Sequence, residues 1–204
     1  MKKIMFNDKY GLTQAVLEGR KTQTRRTFLK RAEEFLLHGI TPGYLISVRS
    51  RYTLGETIAI AQKYEDLIKN DEFYRLCGKN GMPLECIKYE RGCNNKMFVR
   101  ADLMPHHIRI TKIRMERLQD ISDEDCLKEG ICRSDIKNTL WGVAPIRGEG
   151  ESGTTYEHSV LGYGPWHLFP SVKKAYASLI DRISGKGIWE SNPYVFVYDF
   201  ELID

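Results

Sequence analysis

The segment Gly19-Arg20-Lys21-Thr22-Gln23-Thr24-Arg25-Arg26 is the part of the sequence around which the rest of the chain is arranged. It follows residues 8–18, where apolar side chains recur at helical spacing, and Gly19 stands where a left-handed residue would end that helix. Four cations and two hydroxyl groups occupy the next seven positions. A basic loop fixed by the end of a helix is a candidate ligand site. The alternative interpretation is a solvent-exposed edge strand that Lys and Arg protect from aggregation.

The pattern Gly-Arg-Lys-Thr-x-Thr-x-Arg after a short helix resembles the signature of the ASCH (activating signal cointegrator homology) family. Members of this family are PUA-like β-barrels linked to RNA and modified nucleosides. The resemblance extends over residues 1–26, 54–62, 97–131 and 193–203, and it includes phage-associated and bacterial ASCH-like proteins that end in an aromatic strand after Asn-Pro. It implies an α+β fold, a PUA-like mixed β-barrel with flanking helices and insertions.

Some bacterial members of the family are small amidohydrolases that remove the acetyl group from N4-acetylcytidine, using a Lys, a Thr and a more distant Glu. The resemblance carries these catalytic roles to Lys21, Thr24 and Glu129. It implies RNA or a modified nucleoside as the partner, with three arginines as ligand-binding candidates: Arg20, Arg25 and Arg26. Two alternatives stay open, a non-catalytic RNA-binding module and a phage or mobile-element accessory protein that uses the fold only as a scaffold.

The spacing of the motif sets conditions on this chemistry. Residues three apart on a regular strand point to opposite faces, so Lys21 and Thr24 can cooperate only where the segment bends. A Thr hydroxyl needs an adjacent base before it attacks a carbonyl, and burial beside two arginines would lower the pKa of Lys21 toward that role. Glu129 lies at the negative end of a short helix dipole. It is either a solvated carboxylate, as most Glu side chains are, or one whose disfavoured charge suits it to proton transfer. Lys21 could instead stabilise an oxyanion while an activated water attacks.

Composition places the chain among ordinary globular proteins. Its 204 residues, 42% of them hydrophobic, predict one domain over 1–204 with insertions at about 63–95 and 134–165. A net charge of +4 permits an anionic ligand without requiring one. No secretory leader precedes Ile4-Met5-Phe6 and no apolar stretch approaches membrane-spanning length, so we predict a cytoplasmic protein that does not enter a membrane.

The cysteines favour reduced, buried thiols. They are odd in number and contain no Cys-x-x-Cys pair, which argues against both a disulfide framework and a zinc knuckle: Cys77, Cys86, Cys93, Cys126 and Cys132. We therefore predict no metal and no other cofactor.

The remaining elements are predicted from periodicity and from start and stop signals. Strands are expected at 4–6, 44–48, 55–60, 97–99, 107–118 and 194–200, with a bulge between Ile110 and Ile113 and the last strand central because it is apolar on both faces. Helices are expected at 8–18, 29–38, 64–76, 122–129 and 171–183. The Gly-rich residues 134–165 form a long loop whose aromatic residues either stack on a base or pack against the barrel.

Overall fold

Five strands form one mixed sheet in the computed structural model, which describes residues 1–27, 32–133, 141–143 and 169–204. The strand order across the sheet is β1-β3-β4-β7-β2, where β1 and β3 are parallel and the other neighbours are antiparallel. A separate two-stranded sheet pairs β5 with β6. The strands are β1 (Lys3–Ile4), β2 (Gln23–Thr27), β3 (Thr57–Ile60), β4 (His107–Arg117), β5 (Ile131–Arg133), β6 (Trp141–Val143) and β7 (Tyr194–Leu202).

The centre of the sheet is the pair of long strands β4 and β7. β7 lies between β4 and β2, and its residues Val195, Val197 and Tyr198 are almost fully buried, which confirms the prediction of a central last strand. The register of β4 against β7 shifts between Ile110 and Lys112, so the predicted bulge is also confirmed. In the described residues no pairing joins the edge strands β1 and β2, and the sheet is therefore mixed but not closed into a barrel.

The described residues form eight helices around the sheet, and four of these begin at a side-chain cap: Thr41, Asn70, Ser122 and Ser171. Ser122 and Ser171 accept hydrogen bonds from the N–H groups of Asp125 and Lys174, which fixes the starts of α6 and α7. The helices are α1 (Leu12–Leu17), α2 (Ala32–Leu37), α3 (Pro42–Arg49), α4 (Tyr64–Leu67), α5 (Asp71–Lys79), α6 (Asp123–Lys128), α7 (Val172–Ser184) and α8 (Ile188–Ser191). Single 3-10 turns occur at Asp8–Tyr10, Ala101–Leu103 and Leu118–Asp120, and a longer 3-10 segment at Leu84–Tyr89.

Two predicted strands are wrong. Residues 44–48 lie in α3 because the Thr41 hydroxyl accepts from the N–H of Tyr44 and Pro42 occupies the first turn, where a missing N–H costs nothing. Residues 97–99 form no strand because Asn95 binds the N–H groups of both Met97 and Phe98 in a turn.

The predicted first helix is divided in two. Gly11 adopts a left-handed conformation (φ 63°) between the 3-10 turn at Asp8–Tyr10 and α1. Asp8 does not cap α1 through the backbone; its carboxylate accepts instead from the Thr13 hydroxyl at 2.5 Å and from the Lys96 ammonium at 2.7 Å. Gly19 is left-handed (φ 71°), as the sequence predicts.

Residues 63–95 pack around a hydrophobic cluster of their own. Tyr64 and Phe73 stack with ring centroids 5.5 Å apart, and the cluster is completed by Ala59 of β3 and by residues 99–104. The insertion is therefore joined to the sheet through β3. The main cluster lies against the rest of the sheet and includes α1, α7 and the buried faces of β4 and β7.

Some predictions concern residues that lie outside the described part of the chain. The 134–165 loop is one of them, except for the short strand β6 within it. All five cysteines are described and all are free thiols, with Cys77 and Cys126 buried. Among the described helices, each is too short or too polar to cross a membrane.

Candidate functional site

The basic motif begins where α1 ends and continues into β2. After Gly19 the chain turns back, and the Lys21 N–H donates to the Ala15 carbonyl at 2.9 Å. The Thr22 N–H donates to the Lys128 carbonyl, also at 2.9 Å, which brings the end of α6 against the motif. The helix-end turn predicted from Gly19 thus places residues from two distant parts of the sequence side by side.

Lys21 and Glu129 meet in this position. The Lys21 Nζ lies 2.5 Å from Glu129 Oε2, 2.9 Å from the Glu129 carbonyl oxygen and 2.8 Å from the Gln23 carbonyl oxygen. Both side chains are buried, with exposed fractions of 2% for Lys21 and 6% for Glu129. The Lys21 ammonium therefore donates all three of its protons to oxygen atoms of two residues.

Gly130 makes this close approach possible. It ends α6 in a left-handed conformation (φ 99°), and a Cβ atom there would lie 3.4 Å from a methyl group of Leu12 and 3.7 Å from the Cβ atom of Lys21. A side chain at this position would be in ordinary contact with α1 but would be strained by the left-handed backbone. Glycine consequently lets the end of α6 sit directly on the motif.

Burial dominates the electrostatics of Lys21. It lowers the pKa of the ammonium below its usual value, and the charges of Arg26 and Arg25 act in the same direction. The attraction of Glu129 opposes this shift without cancelling it. The lowering predicted from the sequence is thus confirmed.

Arg25 is held by carboxylates on one face of β2. Its guanidinium donates to Glu116 at 2.7 and 3.1 Å, to Asp125 at 3.1 Å and to Glu129 at 3.2 Å, and it also donates to the Gln23 side chain. The same face holds a second arginine in a network of acids, with Arg114 bound to three of them: Glu116, Asp125 and Asp199. The donors of Arg25 are therefore directed at protein oxygens.

Thr24 and Arg26 lie on the opposite face of the strand. Their register partners on β7, Tyr198 and Phe196, lie on that same face. Arg26 donates to the Met5 carbonyl at 2.6 Å, while its enclosed Nε atom has no partner among the described residues. Lys21 and Arg26 both lie near the aromatic ring of Phe6, with each cationic group 5.9 Å from the centre of that ring.

The predicted site residues divide into three groups: Lys21, Arg25 and Glu129 are in contact, Thr24 and Arg26 lie on the opposite face of β2, and Arg20 stands apart. Lys21 and Glu129 are brought together, whereas in the described residues the hydrogen bonds of Lys21 do not include the Thr24 hydroxyl. Arg20 lies apart from both and pairs with Glu18 at 2.5 Å. β2 is an edge strand, as the alternative interpretation holds, but Lys21, Thr24 and Arg25 are buried rather than solvated.

A cavity of about 330 Å³ opens on the face that carries Arg26. Four of its described lining residues are cations and none is an acid, and three aromatic rings form part of its wall. The described lining residues are Lys3, Met5, Arg26, Thr27, Arg49, Arg51, Tyr52, Phe196 and Tyr198. Because the Arg26 guanidinium is buried, its charge is poorly solvated, and this lowers its pKa.

A second basic segment, outside the motif at residues 19–26, indicates this cavity in the sequence. Arg49-Ser50-Arg51-Tyr52 alternates cations with small and aromatic residues, a pattern suited to binding nucleic-acid components. The segment directly follows residues 44–48, which the sequence predicts as a strand and which lie within α3. The helix end, rather than a strand, directs Arg49 and Arg51 to the cavity.

Comparisons of the chain with protein-family models, with curated proteins and with solved structures find no match. Within the described residues, no group of three or more His, Cys, Asp or Glu side chains is placed to hold a metal ion.

Proposed function

We propose that this ASCH-like protein, with a PUA-like core, binds RNA or a modified nucleoside beside the Lys21–Glu129 pair and hydrolyses an N-acyl amide of the base. The observation that carries the proposal is the buried contact between Lys21 and Glu129, which are 108 positions apart in the chain. Desolvated ion pairs of this kind are costly to maintain and recur where proton transfer is needed. The resemblance of the motif supplies the substrate class.

The pair can provide an acid and a base at the same time. Transfer of one proton along the 2.5 Å contact converts the ammonium and carboxylate into a neutral amine and a carboxylic acid. Burial lowers the pKa of the Lys21 ammonium and so favours its neutral amine. The Lys21 amine then has a lone pair to accept a proton, and Glu129 has a proton to give.

Hydrolysis then proceeds in two balanced steps. The Thr24 oxygen attacks the acyl carbon while the Lys21 amine accepts the hydroxyl proton, and the C–N bond breaks as Glu129 protonates the departing base nitrogen. Water next attacks the acyl-threonine ester, releasing the carboxylic acid and restoring the hydroxyl. This route requires Thr24 to approach Lys21 when substrate binds, since the Lys21 hydrogen bonds go elsewhere in the resting structure.

The test is release of acetate from N4-acetylcytidine by the purified protein. Thr24→Val keeps the side-chain shape but removes the nucleophile and should abolish release, whereas Thr24→Ser should retain part of it. Glu129→Gln cannot carry the proton and should remove the acid limb of the pH–rate profile. Every step uses protein groups and water, so we expect EDTA to leave the rate unchanged.

Thr22→Val is the matched control. Thr22 belongs to the same motif, but its side chain lines a shallow depression on the other side of the sheet together with Asp125 and Asp199. It should release acetate at the wild-type rate. Equal background rates for the wild type and for Thr24→Val would contradict the enzymatic proposal.

A second candidate, a non-catalytic RNA-binding module, is favoured by the cation-lined cavity. In that case the logarithm of the affinity for RNA oligonucleotides should fall linearly with the logarithm of the salt concentration, because binding releases counterions from neutralised phosphates. Arg26→Ala should weaken binding and reduce the slope by about one unit or less. Oligonucleotide binding that is insensitive to salt would contradict this candidate.

A further inference from the structure

Unlike the buried cations Lys21 and Arg25, the four cations that line the cavity form no ion pair with a described carboxylate. Arg25 contacts three carboxylates and Lys21 contacts one. Among the described residues, no carboxylate forms an ion pair with any cation of the cavity, namely Lys3, Arg26, Arg49 and Arg51. Glu129 acts on Arg26 through its charge but forms its ion pairs with Lys21 and Arg25. The cavity cations therefore repel one another without a directly bound counter-charge, and an anion among them would be favourable.

Arg26 provides the inner donor of this cluster. One of its terminal N–H groups binds the Met5 carbonyl, and its enclosed Nε atom lacks a partner in the described residues. A buried donor without an acceptor is unfavourable, and the guanidinium that carries it borders the cavity. Lys3 contributes in part, because its ammonium already donates to the carbonyls of Met97 and Val99.

The outer cations are held in place by the sheet. Arg49 is the last residue of α3 and Arg51 follows one residue later. The buried hydroxyl of Tyr198 accepts from the Arg51 N–H at 3.2 Å and lies 3.0 Å from Ser50 Oγ. A strand residue thus anchors the backbone of the cationic segment over the cavity, which reduces the entropy lost when these side chains bind a ligand.

The aromatic wall suits a flat, conjugated group. Tyr52 and Tyr198 are both buried and meet edge to face, with ring centroids 5.2 Å apart, and Phe196 lines the same cavity. The parts of these rings that border the cavity form an apolar wall against which a base can lie. The volume of about 330 Å³ lies near the lower end of the roughly 300–1,000 Å³ typical of small-molecule pockets, a size for one nucleotide rather than a strand.

We infer that the cavity binds a single nucleoside monophosphate, with the phosphate between Arg26, Arg49 and Arg51 and the base against Tyr52 and Tyr198. The inference rests on the proposed function only in taking a nucleoside as the ligand class, and it does not require hydrolysis. It assigns the phosphate, rather than the base alone, as the group that the cation cluster recognises.

Calorimetric titration of the full chain with cytidine 5′-monophosphate, cytidine and inorganic phosphate tests this inference. We expect the monophosphate to bind at least about tenfold more tightly than cytidine, because hydrogen bonds from the arginines to a charged phosphate are stronger than those to a neutral nucleoside. Inorganic phosphate should compete with it. Equal affinity for the monophosphate and cytidine, or binding only of oligonucleotides, would overturn the inference.

Two exposed arginines allow a test by substitution with little risk to the fold. Arg49→Gln and Arg51→Gln should each weaken monophosphate binding about tenfold and leave cytidine binding unchanged. Arg75→Gln is the matched control, because Arg75 is exposed, lies on α5 and pairs with Glu72 at 2.5 Å outside the cavity. Unchanged monophosphate affinity in both cavity variants, with thermal unfolding like that of the wild type, would also overturn the inference.

The outcome is separable from that of the proposed hydrolysis. If the monophosphate binds with the expected preference but N4-acetylcytidine releases no acetate, the phosphate site stands and the hydrolysis fails. If acetate is released but phosphate brings no gain in affinity, the hydrolysis stands and the phosphate site fails.

Discussion

Arg25 and Arg26 are neighbours in the chain, but their guanidinium groups lie on opposite faces of β2 and in opposite electrostatic environments. Arg25 is enclosed by Glu116, Asp125 and Glu129, whereas Arg26 faces a cavity without a described acid. Strand alternation alone separates them. This difference favours a structural role for Arg25 and is the basis of the ligand-binding role that we propose for Arg26.

Arg25→Met should be strongly destabilising. It leaves buried carboxylates without their cation, and breaking one side of a buried ion pair costs about 3–5 kcal/mol. The free energy of unfolding in urea measures the effect. Arg109→Met is the control on the same sheet, because its pair with Glu201 at 3.5 Å is half exposed and should contribute less than about 1 kcal/mol. Equal losses in the two variants would show that the buried network adds no stability.

The Lys21–Glu129 contact should appear as energetic coupling. Lys21→Met and Glu129→Gln are each expected to lower the free energy of unfolding by about 3–5 kcal/mol, because each strands a buried group. The loss in the double variant should be smaller than the sum of the single losses by about 0.5–3 kcal/mol. Urea unfolding of the four proteins at pH 7 measures this cycle, and strictly additive losses would contradict direct pairing.

Asp125 should make stability depend on pH in acid. Burial alone would raise the pKa of its carboxyl, but Arg114 and hydrogen bonds from Gln23, Lys128 and Arg25 lower it below the usual 3.8. The unfolded state therefore binds more protons between the lowered folded pKa and 3.8, so the contribution of Asp125 is complete above this window and is lost as the pH falls through it.

Asp125→Asn should accordingly destabilise the protein at pH 7 and progressively less below pH 3.8. Unfolding by urea at several pH values gives the difference from the wild type. Asp123→Asn, an exposed change in the first turn of the same helix, should have a small effect by comparison. A wild-type advantage over Asp125→Asn that persists unchanged to the lowest pH would contradict the assignment.

Gly92 and Gly78 provide a matched pair in the insertion. A Cβ atom at Gly92 would lie 2.5 Å from the ring of buried Tyr64, so Gly92→Ala should destabilise by about 1–3 kcal/mol through overpacking. Gly78 lies inside α5 with no atom within 4 Å of the same added group. Gly78→Ala should therefore stabilise by roughly 0.5–1 kcal/mol. Thermal unfolding compares the two, and effects of the same sign would be inconsistent with this packing.

Local features of this protein could be predicted from its sequence. The helices expected from residues 122 and 171 begin there, Gly19 turns the chain after α1, and the slip in alternation between Ile110 and Ile113 is a bulge. Each depends on residues within about one helical turn or a few strand positions, whose spacing the sequence displays directly. The central place of β7, a long-range feature, was predicted from a run that is apolar on both faces.

Tertiary structure decided what these elements do. The sequence shows Lys21, Glu129 and Arg51 as separate charged residues, and a charge in a sequence does not indicate whether water or a carboxylate surrounds it. Packing of α6 on the motif buries the Lys21–Glu129 pair, and Tyr198 anchors the segment that carries Arg51. Only the folded chain fixes these environments, because desolvation and pairing depend on contacts between residues far apart in sequence.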